Sequence, residues 1–181
     1  MKQSSPAGML AARVIAGNPQ PGFLTVTIDR GTADGVQTDM AVIAPTGIVG
    51  RVVGRPAAHA ARVQLVVDHN AGAGAITERT RAGGIVVGRE EDPPLRMDLV
   101  SNLADVQVGD LVVTSGVDGI YPKGFAIGKV ESSERGPGLY RNIAVRPLVD
   151  FRSLEEVLVV LLPPRPATPE SAVEGSSGTA K

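Results

Sequence analysis

The stretch Asp34-Gly35-Val36-Gln37-Thr38-Asp39-Met40-Ala41-Val42 returns, in altered form, as Asp105-Val106-Gln107-Val108-Gly109-Asp110-Leu111-Val112-Val113. Each copy reads as a polar turn feeding a buried, β-branched strand. Each then runs to an apolar segment with a central Gly. These are Ile48-Val49-Gly50-Arg51-Val52 and Ala126-Ile127-Gly128-Lys129-Val130, with seven extra residues in the second copy. A Gly at one fixed place in a returning strand marks a bend, a bulge or a close backbone approach. Two copies of a turn, strand, hairpin and returning strand predict two related β units.

Outward from this repeat the β signal continues. In Phe23-Leu24-Thr25-Val26-Thr27-Ile28-Asp29 the apolar residues Leu24, Val26 and Ile28 alternate with mostly polar neighbours, which predicts a strand with one buried face. The same spacing turns Val63, Leu65 and Val67 inward, then Leu95, Met97 and Leu99, then Ile143 and Val145. Unbroken runs at 41–43, 85–87, 111–113 and 157–160 read as strands covered on both sides. Only Ser153-Leu154-Glu155-Glu156, with its capping-box spacing, suggests a helix, of at most one turn. With 22 Gly and 14 Pro supplying turns, the expected class is all-β: two small β-barrels in tandem, built of short strands and Gly/Pro turns. Residues 1–11 are expected to be linker or expression-derived sequence, 12–94 the first barrel and 95–162 the second. One barrel is open to completion by a strand from the other half. The tail 163–181, with Pro163, Pro164, Pro166 and Pro169 among small and polar residues, is expected to be disordered.

Composition excludes several kinds of chemistry. With 43% hydrophobic and 20% charged residues the chain is of ordinary globular make-up. A net charge of −1 gives no electrostatic footprint for nucleic acid. The absence of Cys removes disulfides, thiol catalysis and Cys-ligated metals, and two His are too few for a His-rich metal site. Aromatic residues, at 3%, are too few for a base-stacking platform. The longest apolar run, 157–162, falls far short of the roughly 20 residues that cross a bilayer. No cofactor is expected.

Candidate catalytic groups are sparse. Ser115, His59, His69 and Asp68 are the only ingredients for a Ser-His-Asp triad, the basis of an alternative reading as a serine hydrolase on a chymotrypsin-like double barrel. Ser115 lies in Val113-Thr114-Ser115-Gly116, which is no nucleophile elbow, and Asp68-His69-Asn70 reads as a polar turn. Gly119-Ile120-Tyr121-Pro122-Lys123-Gly124 has phosphate-loop spacing, but Phe125 and Ala126 stand where Lys and Ser/Thr are required. It is instead a hairpin turn whose tip could present Ile120, Tyr121 and the following Phe125 to a partner, with Tyr121 equally able to fold back onto its own barrel. The expected site is therefore one of protein contact, with no catalytic, cofactor-binding or metal-binding residue.

Taken in order, these motifs resemble one family. Gly31-Thr32-Ala33-Asp34-Gly35-Val36, Met40-Ala41-Val42-Ile43 and Thr46-Gly47-Ile48-Val49-Gly50-Arg51-Val52 are similar to the core of the rod shape-determining MreC proteins. So are Gly109-Asp110-Leu111-Val112-Val113-Thr114-Ser115-Gly116, the 119–124 turn, Ile127-Gly128-Lys129-Val130 and Val145-Arg146-Pro147-Leu148-Val149-Asp150 with Val157-Leu158-Val159-Val160. The resemblance runs from about Ala12 to Leu162. It implies a two-barrel region on the periplasmic face of the cytoplasmic membrane, soluble here because the membrane helix and coiled coil that precede it in the family are absent. It implies a non-catalytic scaffold of bacterial cell elongation that self-associates to dimers or filaments. It also implies that the scaffold binds and activates the elongation-specific class B penicillin-binding protein. MreD and RodA are implied as membrane partners of the full-length protein, and nucleic acid is not.

Overall fold

The computed structural model describes residues 8–20 and 23–161. Among them, twelve strands close into two six-stranded antiparallel barrels, and the all-β, two-barrel expectation holds. The first barrel contains β1 (Met9–Gln20), β2 (Phe23–Ile28), β3 (Ala41–Ala44), β4 (Gly47–Val53), β5 (Ala61–Leu65) and β12 (Glu156–Val160), in the order β1-β12-β3-β4-β5-β2. The second contains β6 (Gly72–Thr77), β7 (Gly83–Gly88), β8 (Leu95–Asp98), β9 (Leu111–Thr114), β10 (Ala126–Glu134) and β11 (Asn142–Pro147), in the order β10-β11-β8-β7-β6-β9. Read around the ring, β1, β2, β3, β4, β5 and β12 occupy the places of β7, β8, β9, β10, β11 and β6. The two barrels thus share one topology. The strand that comes first in the second barrel comes last in the first, and the whole second barrel is inserted between β5 and β12.

This corrects the expected boundaries. Residues 9–11 are strand rather than linker: Met9, Leu10 and Ala11 pair with Val160, Val159 and Leu158 of β12. The division at 94/95 is also displaced, because β6 and β7 belong to the second barrel and the chain crosses between barrels after β5. The strand β6 is hard to read from sequence since its inward residues are Ala73 and Ala75, both 1% exposed, with the polar Thr77, and its outward ones are Gly72, Gly74 and the apolar Ile76. Methyl groups and bare backbone give almost no amphipathic contrast. The capping-box helix does not form. Ser153 donates its hydroxyl to Asp150 Oδ2 at 2.8 Å, and Arg152 N donates to Asp150 Oδ1 at 3.0 Å, so a carboxylate-centred turn takes its place. The expected tail, 163–181, lies outside the described residues.

The repeat is real in three dimensions, one residue out of the register read above. Val42 pairs with Gly50 and Val112 with Gly128, and Gln37 matches Gln107, each donating its amide to residue i+3: Met40 Sδ at 3.3 Å and Asp110 Oδ2 at 2.9 Å. Each Gly lies over the next strand of its barrel. A Cβ on Gly50 would overlap the Gln64 carbonyl oxygen of β5, and one on Gly128 the Arg146 carbonyl oxygen of β11. Buried residues of both barrels, including Ile28, Ile48 and Val63 of the first and Leu95, Met97 and Ile127 of the second, form one continuous hydrophobic cluster. At the junction Gly47 of the β3–β4 hairpin faces the second barrel, where its Cβ would stand 2.6 Å from the Ala126 carbonyl oxygen.

Loops are fastened by ion pairs. Arg79, in the β6–β7 hairpin, donates from Nε and Nη2 to Asp110 at 2.8 and 3.0 Å and from Nη1 to Asp105 at 2.9 Å. These hydrogen bonds to Arg79 hold both carboxyls below the usual carboxylate range. A depressed folded-state pKa contributes stability above the ordinary aspartate pKa and loses it as pH falls through the lowered folded value. The wild-type melting temperature is therefore expected to drop between pH 5 and pH 2, on the order of the carboxylate titration range. Arg79→Gln should melt lower at pH 7 and lose less on acidification. Parallel acid profiles for the two proteins, followed by circular dichroism, would refute the clamp.

Candidate interaction surface

The turn singled out by sequence is tightly built. Asp118 Oδ1 accepts the amides of Ile120 and Tyr121 at 3.0 and 3.2 Å, and its Oδ2 accepts Gly74 N of β6 at 3.0 Å. Thr114 Oγ1 donates to the Pro122 carbonyl and accepts Phe125 N at 2.9 Å. These bonds pull the loop onto the barrel. Tyr121 is 3% exposed, and burial pushes its phenol pKa well above the ordinary value, opposed by the positive charge of Arg51 on β4. Display of Tyr121 to a partner is thereby corrected: its ring is buried in the hydrophobic cluster that the two barrels share. Ile120 and Phe125 are partly buried against the same core.

The triad ingredients do not assemble. Asp68 is fully buried in the β5–β6 crossing, where its Oδ2 accepts Leu24 N at 2.6 Å and its Oδ1 accepts Asn70 N at 2.7 Å. It fastens the start of β2 beneath the point where the chain enters the second barrel. Ser115 N donates to the Gly74 carbonyl and Ser115 Oγ accepts Val117 N at 3.4 Å. His59 and His69 are exposed, and neither is hydrogen-bonded to Ser115. Among the described residues no group of three His, Cys, Asp or Glu side chains could hold a metal ion, and no helix is long and apolar enough to cross a membrane.

A different set of side chains is on offer. At one end of the second barrel the β8–β9 loop and the β10–β11 loop run together through the bridge Ser101–Tyr140 and present Leu99, Leu103, Leu139 and Tyr140, which are 52, 92, 78 and 48% exposed. Asn102 is the fastener. Its side-chain amide donates to the carbonyls of Gly136 and Gly138 at 3.2 and 2.6 Å and its Oδ1 accepts Gly136 N at 3.1 Å. Its own amide donates to the Leu139 carbonyl at 2.9 Å, and Arg141 Nη1 donates to its carbonyl at 3.3 Å. Large apolar groups grouped on loops held in one shape mark a contact surface, since binding there costs little ordering entropy. Sequence reading missed it. Leu99 follows the alternation of Leu95 and Met97, but the strand ends at Asp98 and Leu99 turns outward at φ 63°. Leu139 stands in a loop otherwise rich in Arg, Gly and Pro, where an isolated leucine was the available signal, whereas Leu103 lies among Leu99, Val100, Ala104, Val106 and Val108 and nothing singles it out.

Comparison with known proteins agrees with this geometry. The family model of the rod shape-determining protein MreC, barrel core, matches residues 14–161. The cell shape-determining protein MreC of Listeria monocytogenes is 34% identical over 157 residues, covering 83% of this chain and 52% of its own length. The crystal structure of MreC from Pseudomonas aeruginosa superposes with a TM-score of 0.78 at 28% identity, covering 84% of this chain and 99% of that one. A Helicobacter pylori structure, a complex between a penicillin-binding protein (PBP2) and MreC, shares the fold with a TM-score of 0.66 at 16% identity, covering 85% of this chain and 99% of that one. The chain spans about half the length of the Listeria relative. With one barrel inserted in another of the same topology and a family match across nearly all of the described residues, the chain belongs to the MreC family of cell shape-determining proteins, which are structural proteins and not enzymes.

Proposed function

We propose that this chain is the barrel core of a cell-elongation scaffold on the periplasmic face of the cytoplasmic membrane, and that it binds an elongation-specific class B penicillin-binding protein. The observation that carries this reading is the rigid apolar end of the second barrel, Leu99, Leu103, Leu139 and Tyr140, in a fold shared with an MreC solved in complex with PBP2. Ile120 and Phe125 lie partly buried in another loop and would add only a rim. Activation follows from differential affinity: a scaffold that binds one partner conformation better shifts the population toward it, and a few kcal/mol suffices. Self-association, with MreD and RodA as further partners, belongs to the same reading. Because both barrels are closed, pairing through open strand edges has no template among the described residues, and copies would meet through side-chain faces.

The test is a titration of the chain against the soluble ectodomain of the host's elongation transpeptidase, with a division transpeptidase as control. Saturable binding to the first alone is expected. Leu103→Ser combined with Leu139→Ser should weaken it roughly thirtyfold, the size of a strong hot spot, with unchanged melting, since both side chains are mostly solvated. Full affinity in the double variant would remove this surface from the partner contact.

A further inference from the structure

The first barrel carries a concave site of a different character. A cleft of about 520 Å³ opens over the outer face of β2, β5 and β4 and is lined by Thr27, Val53, Gly54, Arg55, Arg62 and an alanine wall at 57, 60 and 61. Arg62 lies on the middle strand, paired across with Thr27 of β2 and Val53 of β4, and Arg55 follows β4 at the rim. No lining residue is acidic. The acid-free lining sets the two arginines apart, because Arg13 and Arg30 also share a cleft but Asp29 and Glu156 line it with them. Arg55 and Arg62 form no ion pair with any described residue. The walls are mostly Ala and Gly, small enough to let a ligand reach both guanidinium groups.

We infer that this cleft binds a phosphate-bearing ligand through Arg55 and Arg62. Guanidinium groups present planar forks of N–H donors matched to the oxygens of phosphate, and two arginines lining one concavity suit a doubly charged or diester group. The chain as a whole is at net charge −1, so an anion has no general attraction to it and must be held locally. The ligand is either a lipid headgroup or a free phosphate compound, and both offer the same oxygens.

Two probes separate the sources. One is flotation with vesicles of phosphatidylglycerol in phosphatidylcholine, against pure phosphatidylcholine; the other is inorganic pyrophosphate followed by amide chemical shifts. The chain is expected to bind at least one probe, with affinity falling as salt is raised. Arg55→Glu with Arg62→Glu should weaken that binding at least about tenfold, the range set by losing two charge-assisted contacts. Arg135→Glu, an exposed arginine outside the cleft, should leave it unchanged. Vesicle binding assigns a lipid headgroup, and shifts at the cleft with pyrophosphate alone assign a soluble phosphate. Binding of neither probe, or equal losses in the Arg135 variant and the cleft variant, would overturn the inference. Transpeptidase binding does not enter the readout, so its failure leaves this test intact.

Discussion

Replacing Tyr121 by alanine should cost the fold about 4 kcal/mol, within the range for removing a buried ring from a packed core. The ring is 3% exposed and belongs to the cluster that runs through both barrels, while its backbone is fixed by Asp118 and Thr114. The loop is held independently of the ring, so the vacated space has little means of closing, and the cavity term adds to the transfer term. Urea denaturation measures the loss. Affinity of the remaining folded protein for the transpeptidase should be unchanged. If stability moved by less than about 1 kcal/mol while binding collapsed, Tyr121 would be an interface residue after all. Alkali supplies a second check. Burial favours the neutral phenol, so folded stability should fall as pH rises above the ordinary tyrosine pKa, and Tyr121→Phe should blunt that fall.

Gly50→Ala is expected to be almost as damaging, at about 3 kcal/mol or more, because overpacking against backbone has no cheap relaxation. The new methyl group would occupy the position of the Gln64 carbonyl oxygen, and β4 pairs with β5 on both sides of that point. Relief requires strands to separate and ladder hydrogen bonds to be given up. Gly128→Ala repeats the experiment in the second barrel, where the obstacle is the Arg146 carbonyl. Gly17→Ala, with open space around its Cβ position, is the control and should change stability by less than about 0.5 kcal/mol. Denaturation midpoints for the three variants decide the matter. A Gly50 variant as stable as the Gly17 control would show that the barrel yields where the geometry says it should not.

Much of the fold was legible because period-two alternation is a strong signal where inward residues are large. Val26 and Ile28, Leu95 and Met97, and Ile143 and Val145 are all buried as their spacing requires. Legibility ended where that contrast ended. The alternation of β6 is written in alanine and glycine, which moved the boundary between barrels by more than twenty residues. The return of β12 to the first barrel depends on pairing with β1, almost 150 residues away, and no local pattern encodes such a distance. The contact surface failed for a related reason. Tyr121 looked available because aromatic residues in turns often are, but the carboxylate of Asp118 and the hydroxyl of Thr114 draw the turn inward. Leu103 and Leu139 looked unremarkable singly, and only the network around Asn102 brings them together.

Insertion of one barrel within the other also fixes an order of events as the chain emerges from N- to C-terminus. The second barrel is complete once β11 has appeared, since its six strands are consecutive. The first has by then been present for most of its length but lacks the stave between β1 and β3, and it stays gaping with two unsatisfied margins until the last strand arrives. Closure therefore waits for the last strand, which pairs with β1 almost 150 residues away across an inserted barrel that is already complete. During that interval the nascent first barrel, with its two open margins, is the sticky half, and the inserted barrel is already shut.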